Sequence, residues 1–399
     1  MEAYVLEYLN FAIRWLHMIA GIAWIGASLY FVWLDSSLKP PVDQPSQDIG
    51  IGGEVWALHG GGFYRAQKFK VAPPDLPNPL HWFKWEAYVT WLSGFSLLIL
   101  MYYVQADVYL IDKSVMDLTP MAAIAAGLGC LAVSWILYDL MCRSSLGDNE
   151  ALLAGGMFVL LSLLAYGLTH MYSGRGAFIH FGAVIGTIMV ANVFFVIIPG
   201  QKEMVKAKLE GRAVDPKYGL WGKQRSVHNT YFTLPVLFVM ISNHYAGFTN
   251  HKHAWAILMA ISLAGALIRL YSVLSHRGDK RHMLWIGGYG ILIALFVALF
   301  PAPIDQSGAS LVKFAEVRQV IDAKCTGCHA LKPTFAGFAA PPKNVLLETP
   351  EQIKTQAQAI HQQTVVARAM PIGNLTNITD AERALIAAWF AQGAKVKDQ

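Results

Sequence analysis

Eight stretches of this 399-residue chain run apolar for close to the ~20 residues that an α-helix needs to cross a bilayer. They fall at about residues 9–34, 87–104, 119–141, 151–170, 178–198, 231–246, 254–274 and 283–300. Backbone amides find no partner in hydrocarbon, so such runs fold as helices that turn their polar residues toward one another. The expectation is an all-α polytopic membrane bundle of about eight spans over residues 1–303. Only 14% of residues are charged, against about 25% in an average soluble chain. The second and sixth runs are short, and the sixth carries Pro235 early and Asn243-His244 late.

Past residue 300 the character changes. The stretch Pro301-Ala302-Pro303-Ile304-Asp305-Gln306-Ser307-Gly308 has the composition of a linker, and residues 304–399 read as a small soluble all-α domain. Within it stands Cys325-Thr326-Gly327-Cys328-His329. This C-x-x-C-H pattern is that of c-type haem attachment. Two thiols three positions apart can each join one vinyl group of a haem, and the adjacent imidazole can ligate its iron. A zinc-binding or redox dithiol is the alternative. Met370-Pro371 follows 41 residues after His329, where a mono-haem cytochrome c commonly supplies a thioether opposite the histidine. Thr379-Asp380-Ala381-Glu382 reads as a capping box, opening a helix with Leu385, Ile386, Trp389 and Phe390 on one face.

Covalent haem attachment takes place outside the bacterial cytoplasmic membrane. With eight spans, both the N-terminus and the haem domain are then periplasmic. Charge gives a separate test. The loops this topology puts inside hold sixteen Lys or Arg, and the outer loops hold three, Lys113, Arg175 and Lys252. That asymmetry follows the positive-inside rule. It also accounts for the net charge of +5 without a nucleic-acid partner. Cys130 and Cys142 are isolated and read as packing residues.

Two groups of polar residues suggest chemistry. His17, His170, His180 and His244 lie in or at the outer half of four different spans and could hold a haem b, since bundle cores build such sites. Arg14 or Arg175 could neutralise its propionates. Wetted interfacial histidines are the plainer alternative. On the inner side lie His59-Gly60-Gly61-Gly62-Phe63-Tyr64, then Leu80-His81-Trp82-Phe83-Lys84-Trp85-Glu86, then Arg225-Ser226-Val227-His228-Asn229-Thr230. Glycines allow close backbone approach, aromatic rings offer stacking faces, and the cations and amides offer directional donors. The set suits a planar anionic heterocycle. Aromatic anchors with positive-inside charge would explain many of the same residues singly.

These residues carry a resemblance. Trp15-Leu16-His17 followed by Trp24-Ile25-Gly26, the 59–64, 80–86 and 225–230 stretches, Ser242-Asn243-His244, and the tail with C-x-x-C-H and Met-Pro resemble the membrane-bound bacterial urate oxidases. The resemblance spans nearly the whole chain. A weaker similarity links the opening His-to-Trp-Gly pattern to haem-containing membrane proteins of the protoporphyrinogen oxidase group. The first resemblance implies oxidation of urate to 5-hydroxyisourate with oxygen from water. Electrons would pass to the chain's own cytochrome c, then to a periplasmic or membrane acceptor such as another cytochrome c or a terminal oxidase.

In that reading Arg225 and Asn229 hold the purine, and His228 or Lys84 is the general base. Trp82 or Phe63 stacks on the ring, with His59, Gly61 and Thr230 completing the pocket. Cys325, Cys328, His329 and Met370 hold haem c, while His17, His170, His180 and His244, with Arg14, serve a haem b. The alternatives are a haem-carrying conduit for another dehydrogenase or a quinol pool, and a metal transporter using the membrane histidines.

Overall fold

The computed structural model, which describes residues 2–300, 311–335, 338 and 340–396, turns the apolar runs into helices. Helix α1 spans Glu2–Ser37, α2 Trp85–Leu98, α3 Pro120–Arg143, α4 Glu150–Thr169 and α5 Gly174–Ala191. Helix α6 spans Ile198–Leu209, α7 Pro216–Ser242, α8 Ala254–His276 and α9 His282–Ala298. Among the described residues, five helical stretches are long and apolar enough to cross a membrane: Tyr4–Ser37, Pro120–Arg143, Glu150–Thr169, Gly174–Leu209 and Ala254–His276. The other three runs are also helical, but shorter or more polar.

Helix α5 is the centre. It packs against α2, α3, α4 and α7, and Phe178, Phe181, Val184, Ile185 and Ile188 on it have no exposed surface. Small residues let the helices close in on one another. A Cβ at Gly182 would lie 2.4 Å from Val239 on α7. Two π-helical turns interrupt the bundle, Ile99–Tyr103 after α2 and Asn192–Ile197 between α5 and α6. Such turns carry an extra residue and re-aim the helix beyond them.

The structure departs from the sequence reading in two places. Helix α7 begins at Pro216, well before the apolar run at 231. The Asp215 carboxylate accepts from the Lys217 amide, and Pro216 fits the first helical position. Arg225–Thr230 are therefore part of a helix rather than the end of a loop.

The second departure is a β-hairpin in a chain expected to be all-α. Strand β1, Ile51–His59, pairs antiparallel with β2, Gly62–Phe69. Gly60 and Gly61 form the two-residue turn with φ of +58° and +82°, which this turn type requires and glycine supplies without strain. The hairpin base is tied to the bundle by Asp35, which pairs with Lys68 and with Lys223 of α7.

A second core lies beyond the bundle. Helices α10, Phe314–Lys324, and α11, Asp380–Ala391, enclose Val317, Ile321, Ile353, Ile386 and Trp389, none more than 2% exposed. The expected capping box is present: Thr379 Oγ1 accepts from the Glu382 amide, and Glu382 accepts from the Thr379 amide. This unit touches the bundle along residues 367–374. Asn250 Nδ2 donates to the Arg368 carbonyl (3.1 Å). Gly373, at φ +53°, lies so close that a Cβ would come within 3.2 Å of the Val108 and Ile111 carbonyls. Both contacts are on loops that the charge pattern assigns to the outer side.

Candidate functional site

Buried polar side chains from α3, α5 and α7 meet in the bundle. Arg225, Asn229 and Thr230 on α7, Asn192 at the π turn after α5, and Tyr138 on α3 are all no more than 6% exposed. Arg225 Nη2 donates to Asp139 Oδ1 (2.8 Å), and its guanidinium carbon sits 5.0 Å from the Tyr138 ring centroid. Arg225 Nη1 also donates to Asn192 Oδ1 at 3.4 Å. Thr230 bonds back to the Ser226 carbonyl of its own helix.

The direction of each hydrogen bond in this network follows from one backbone carbonyl. The Met189 carbonyl can only accept, so the Asn229 amide group donates to it (2.9 Å) and turns its oxygen toward Asn192. Asn192 Nδ2 then donates both hydrogens, one to Asn229 Oδ1 (3.0 Å) and one to the Tyr138 hydroxyl (3.0 Å). A buried hydroxyl needs an acceptor for its own proton. His228 Nδ1, 2.8 Å away, is that acceptor. His228 is therefore the tautomer with its hydrogen on Nε2. It offers a bound anion a donor, and has no free lone pair for a substrate proton while Tyr138 keeps its contact. This changes the role expected for His228 as a base.

Among the described residues, none of the remaining pocket candidates is hydrogen-bonded to this network. His59, Gly61 and Phe63 stand at the exposed hairpin tip, with Phe63 82% exposed. The glycines there serve the turn. Among the described residues no hydrogen bond, ion pair or ring contact joins that tip to Arg225. Trp82 packs with Ala87, Val190, Val193 and Ile198 beside the π turn. Lys84 precedes α2 with its ammonium 5.7 Å from the Trp85 ring centroid.

The four outer histidines stand on or beside four different helices. His180 is enclosed, with Nδ1 donating to the Gly176 carbonyl (2.8 Å) and Nε2 bonded to the Tyr103 hydroxyl (3.1 Å). A Cβ at Gly127 would lie 2.7 Å from that Nε2. His17 docks on α2, its Nδ1 against the Thr90 carbonyl (3.0 Å). His170 caps α4 and lies over Tyr166, while His244 is exposed beyond the end of α7. Arg14 is exposed, bonded to Asn10 and Met101. The Nδ1 of His17, His170 and His180 each lies against a backbone carbonyl, at 3.0, 2.7 and 2.8 Å.

In the C-terminal unit the geometry is more local. Cys328 and His329 lie on the single turn Thr326–His329, directly after Cys325. His329 Nδ1 donates to the Val345 carbonyl (3.0 Å), which leaves Nε2 as the free lone pair. Such a bond fixes the ring's orientation and raises the basicity of the other nitrogen toward a metal. Burial pushes the Cys325 thiol up to about 12, opposite to the lowered values of redox dithiols. The Met370 carbonyl accepts from buried Arg383 (3.0 Å), fixing its loop against α11.

Residues 3–300 match the family model described as urate oxidase N-terminal. The chain belongs to that family. No curated protein and no solved structure matches it. The urate oxidase match takes in all nine helices from α1 to α9 and ends before α10, so an oxidoreductase acting on urate is the family-level function. The C-x-x-C-H turn lies beyond it.

Three members of the network escaped the sequence reading. Tyr138, Asp139 and Asn192 sit inside the apolar runs at 119–141 and 178–198, which hydropathy reads as spans. An acid and an amide within a membrane run are the signal that could have flagged the last two.

Proposed function

We propose that this chain is a membrane-bound enzyme of about eight spans that oxidises urate to 5-hydroxyisourate and sends the electrons to a haem in its own C-terminal unit. The family match over residues 3–300 carries the substrate and reaction class. The stoichiometry is urate plus water giving 5-hydroxyisourate, two protons and two electrons. The acceptor beyond the chain is a cytochrome c or terminal oxidase of the bacterial inner membrane. The positive-inside asymmetry and the contact of residues 367–374 with the outer loops support a periplasmic C-terminal unit.

The buried network supplies directional polarity in an apolar bundle. Asn229, Asn192 and Tyr138 form a fixed relay that sets the His228 tautomer. Its Nε2–H is then an oriented donor for a urate oxygen as charge develops there. Trp82, next to the π turn, offers a ring face to the purine. Cys325, Cys328 and His329 Nε2 would hold a covalent haem, with Met370 as candidate second ligand. Such a group supplies one-electron acceptance. The free Nε2 of His329 and its bond to Val345 fit this role.

Tyr138→Phe tests the relay. It keeps the ring over Arg225 and removes the donor to His228. The expected result is kcat lower by about tenfold or more with KM little changed, the pattern of an interaction made mainly in the transition state. Unchanged kcat would remove Tyr138 from the mechanism.

The experiment for the whole reading uses the purified chain in detergent, oxidised and anaerobic, with its visible spectrum recorded before and after urate. Pyridine haemochrome analysis should show a covalent haem and separate it from any extractable one, and urate alone should reduce it. A haem reduced by quinol but not by urate would make the chain an electron conduit.

A further inference from the structure

A second arginine is buried in the bundle, and it is not neutralised. Arg269 on α8 is 7% exposed. Its Nη1 donates to Ser272 Oγ one turn on (3.2 Å). Its Nε and Nη2 are buried without a hydrogen-bond partner. The hydroxyl of Ser262, about two turns earlier on the same face, is likewise buried and unpartnered. Arg225 makes the contrast plain, since its charge is met by Asp139 at 2.8 Å.

The surroundings explain what is missing. Helices α8 and α7 press together where a Cβ on Gly265 would lie 3.0 Å from Leu234 and 3.4 Å from Pro235. Proline has no N–H, so the Tyr231 carbonyl one turn earlier on α7 loses its usual helical donor. Tyr231 is the group that faces Arg269 electrostatically, and Glu150 and Arg277 lie within reach of Tyr231. Among the described residues no carboxylate pairs with Arg269. A guanidinium does not shed its proton, and an unpaired charge in an apolar bundle is strongly disfavoured. The two free nitrogens, Nε and Nη2, are the side edge of the fork, which binds two adjacent acceptor atoms at once.

We propose that Arg269 is an anion site inside the bundle, taking a planar oxyanion with two adjacent acceptors between α8 and α7. Two ligands share that chemistry: the urate anion, through a carbonyl oxygen and neighbouring ring nitrogen, and a carboxylate of a non-covalently held prosthetic group. The assignment rests on the unpaired charge and stands apart from the urate reading. If urate is the ligand, Arg269 rather than the already paired Arg225 is the cation that holds it.

The test compares the full-length protein with Arg269→Gln and Arg269→Lys in detergent. Urate binding is measured by equilibrium dialysis against dithionite-reduced protein, which cannot accept further electrons. Extractable chromophore is quantified on the same samples. If urate is the ligand, Arg269→Gln weakens its binding at least tenfold, Arg269→Lys restores part of it, and chromophore content is unchanged. If a prosthetic carboxylate is the ligand, urate affinity is unchanged while extractable chromophore falls in both variants, more in Gln. Unchanged urate binding and chromophore in both variants would overturn the proposal. Should Gln fail to fold, the Lys variant decides alone, since it keeps the charge and loses the fork. Wild-type protein that binds no urate would overturn the urate reading and leave the chromophore arm to judge Arg269.

Discussion

Replacing Arg225 with alanine is expected to destabilise the bundle by about 3 kcal/mol, toward the lower end of what removing one partner from a buried ion pair costs. The pair with Asp139 spans 2.8 Å, with side-chain exposures of 4% and 13%. Asp139 would be left without its buried cation. The effect stays toward the lower end because Arg143 also reaches Asp139, at 2.7 Å from the exposed side, and can take over part of the charge. Loss of urate oxidation by about a hundredfold should accompany it, since Arg225 holds Asn192 and the Tyr138 ring, and without it the relay that orients the His228 donor is released.

The double substitution Arg225→Met with Asp139→Leu separates stability from function. Replacing both partners of a buried pair with apolar groups is often close to neutral for stability. The double variant should therefore melt near the wild-type temperature in detergent yet remain inactive. Wild-type turnover in a stable double variant would make the pair a structural element and move the site elsewhere.

How far the sequence could reveal this arrangement depends on the physics of each signal. Hydropathy located the helices because a bilayer-length apolar run has few alternatives. It placed the start of α7 wrongly, because Pro216 to Thr230 is polar and only its capping residues mark it as helix. The capping box at Thr379 and the apolar face ending at Phe390 were legible because both are local patterns with fixed spacing. The site was legible only in part. Arg225, His228 and Asn229 could be singled out by type, and the structure joins them. Their partners Tyr138, Asp139 and Asn192 come from helices far apart in sequence, and no local pattern pairs them. Gly60 and Gly61 were misread for a similar reason, since a hairpin turn and a ligand cradle ask for the same residue.

The second large effect is expected at the C-terminal unit. Cys325→Ser with Cys328→Ser should abolish covalent haem and, with it, urate-driven reduction of any downstream cytochrome. The two thiols and His329 lie on consecutive turns after α10, and the His329 Nδ1 bond to Val345 already selects the ligating nitrogen. His329→Ala is expected to leave a covalently attached haem with an altered visible spectrum, because attachment and ligation reside on different residues. Met370→Ala should retain attachment and lower the reduction potential, since a thioether opposite histidine raises it. Haem staining on denaturing gels separates the double serine variant from the other two, and a redox titration separates those from each other. The double variant still contains the buried network of α3, α5 and α7, so urate binding should persist while turnover stops. If turnover with a soluble cytochrome c continued at the wild-type rate without covalent haem, electrons would be leaving the bundle by another exit. The C-terminal unit would then serve some purpose other than carrying them.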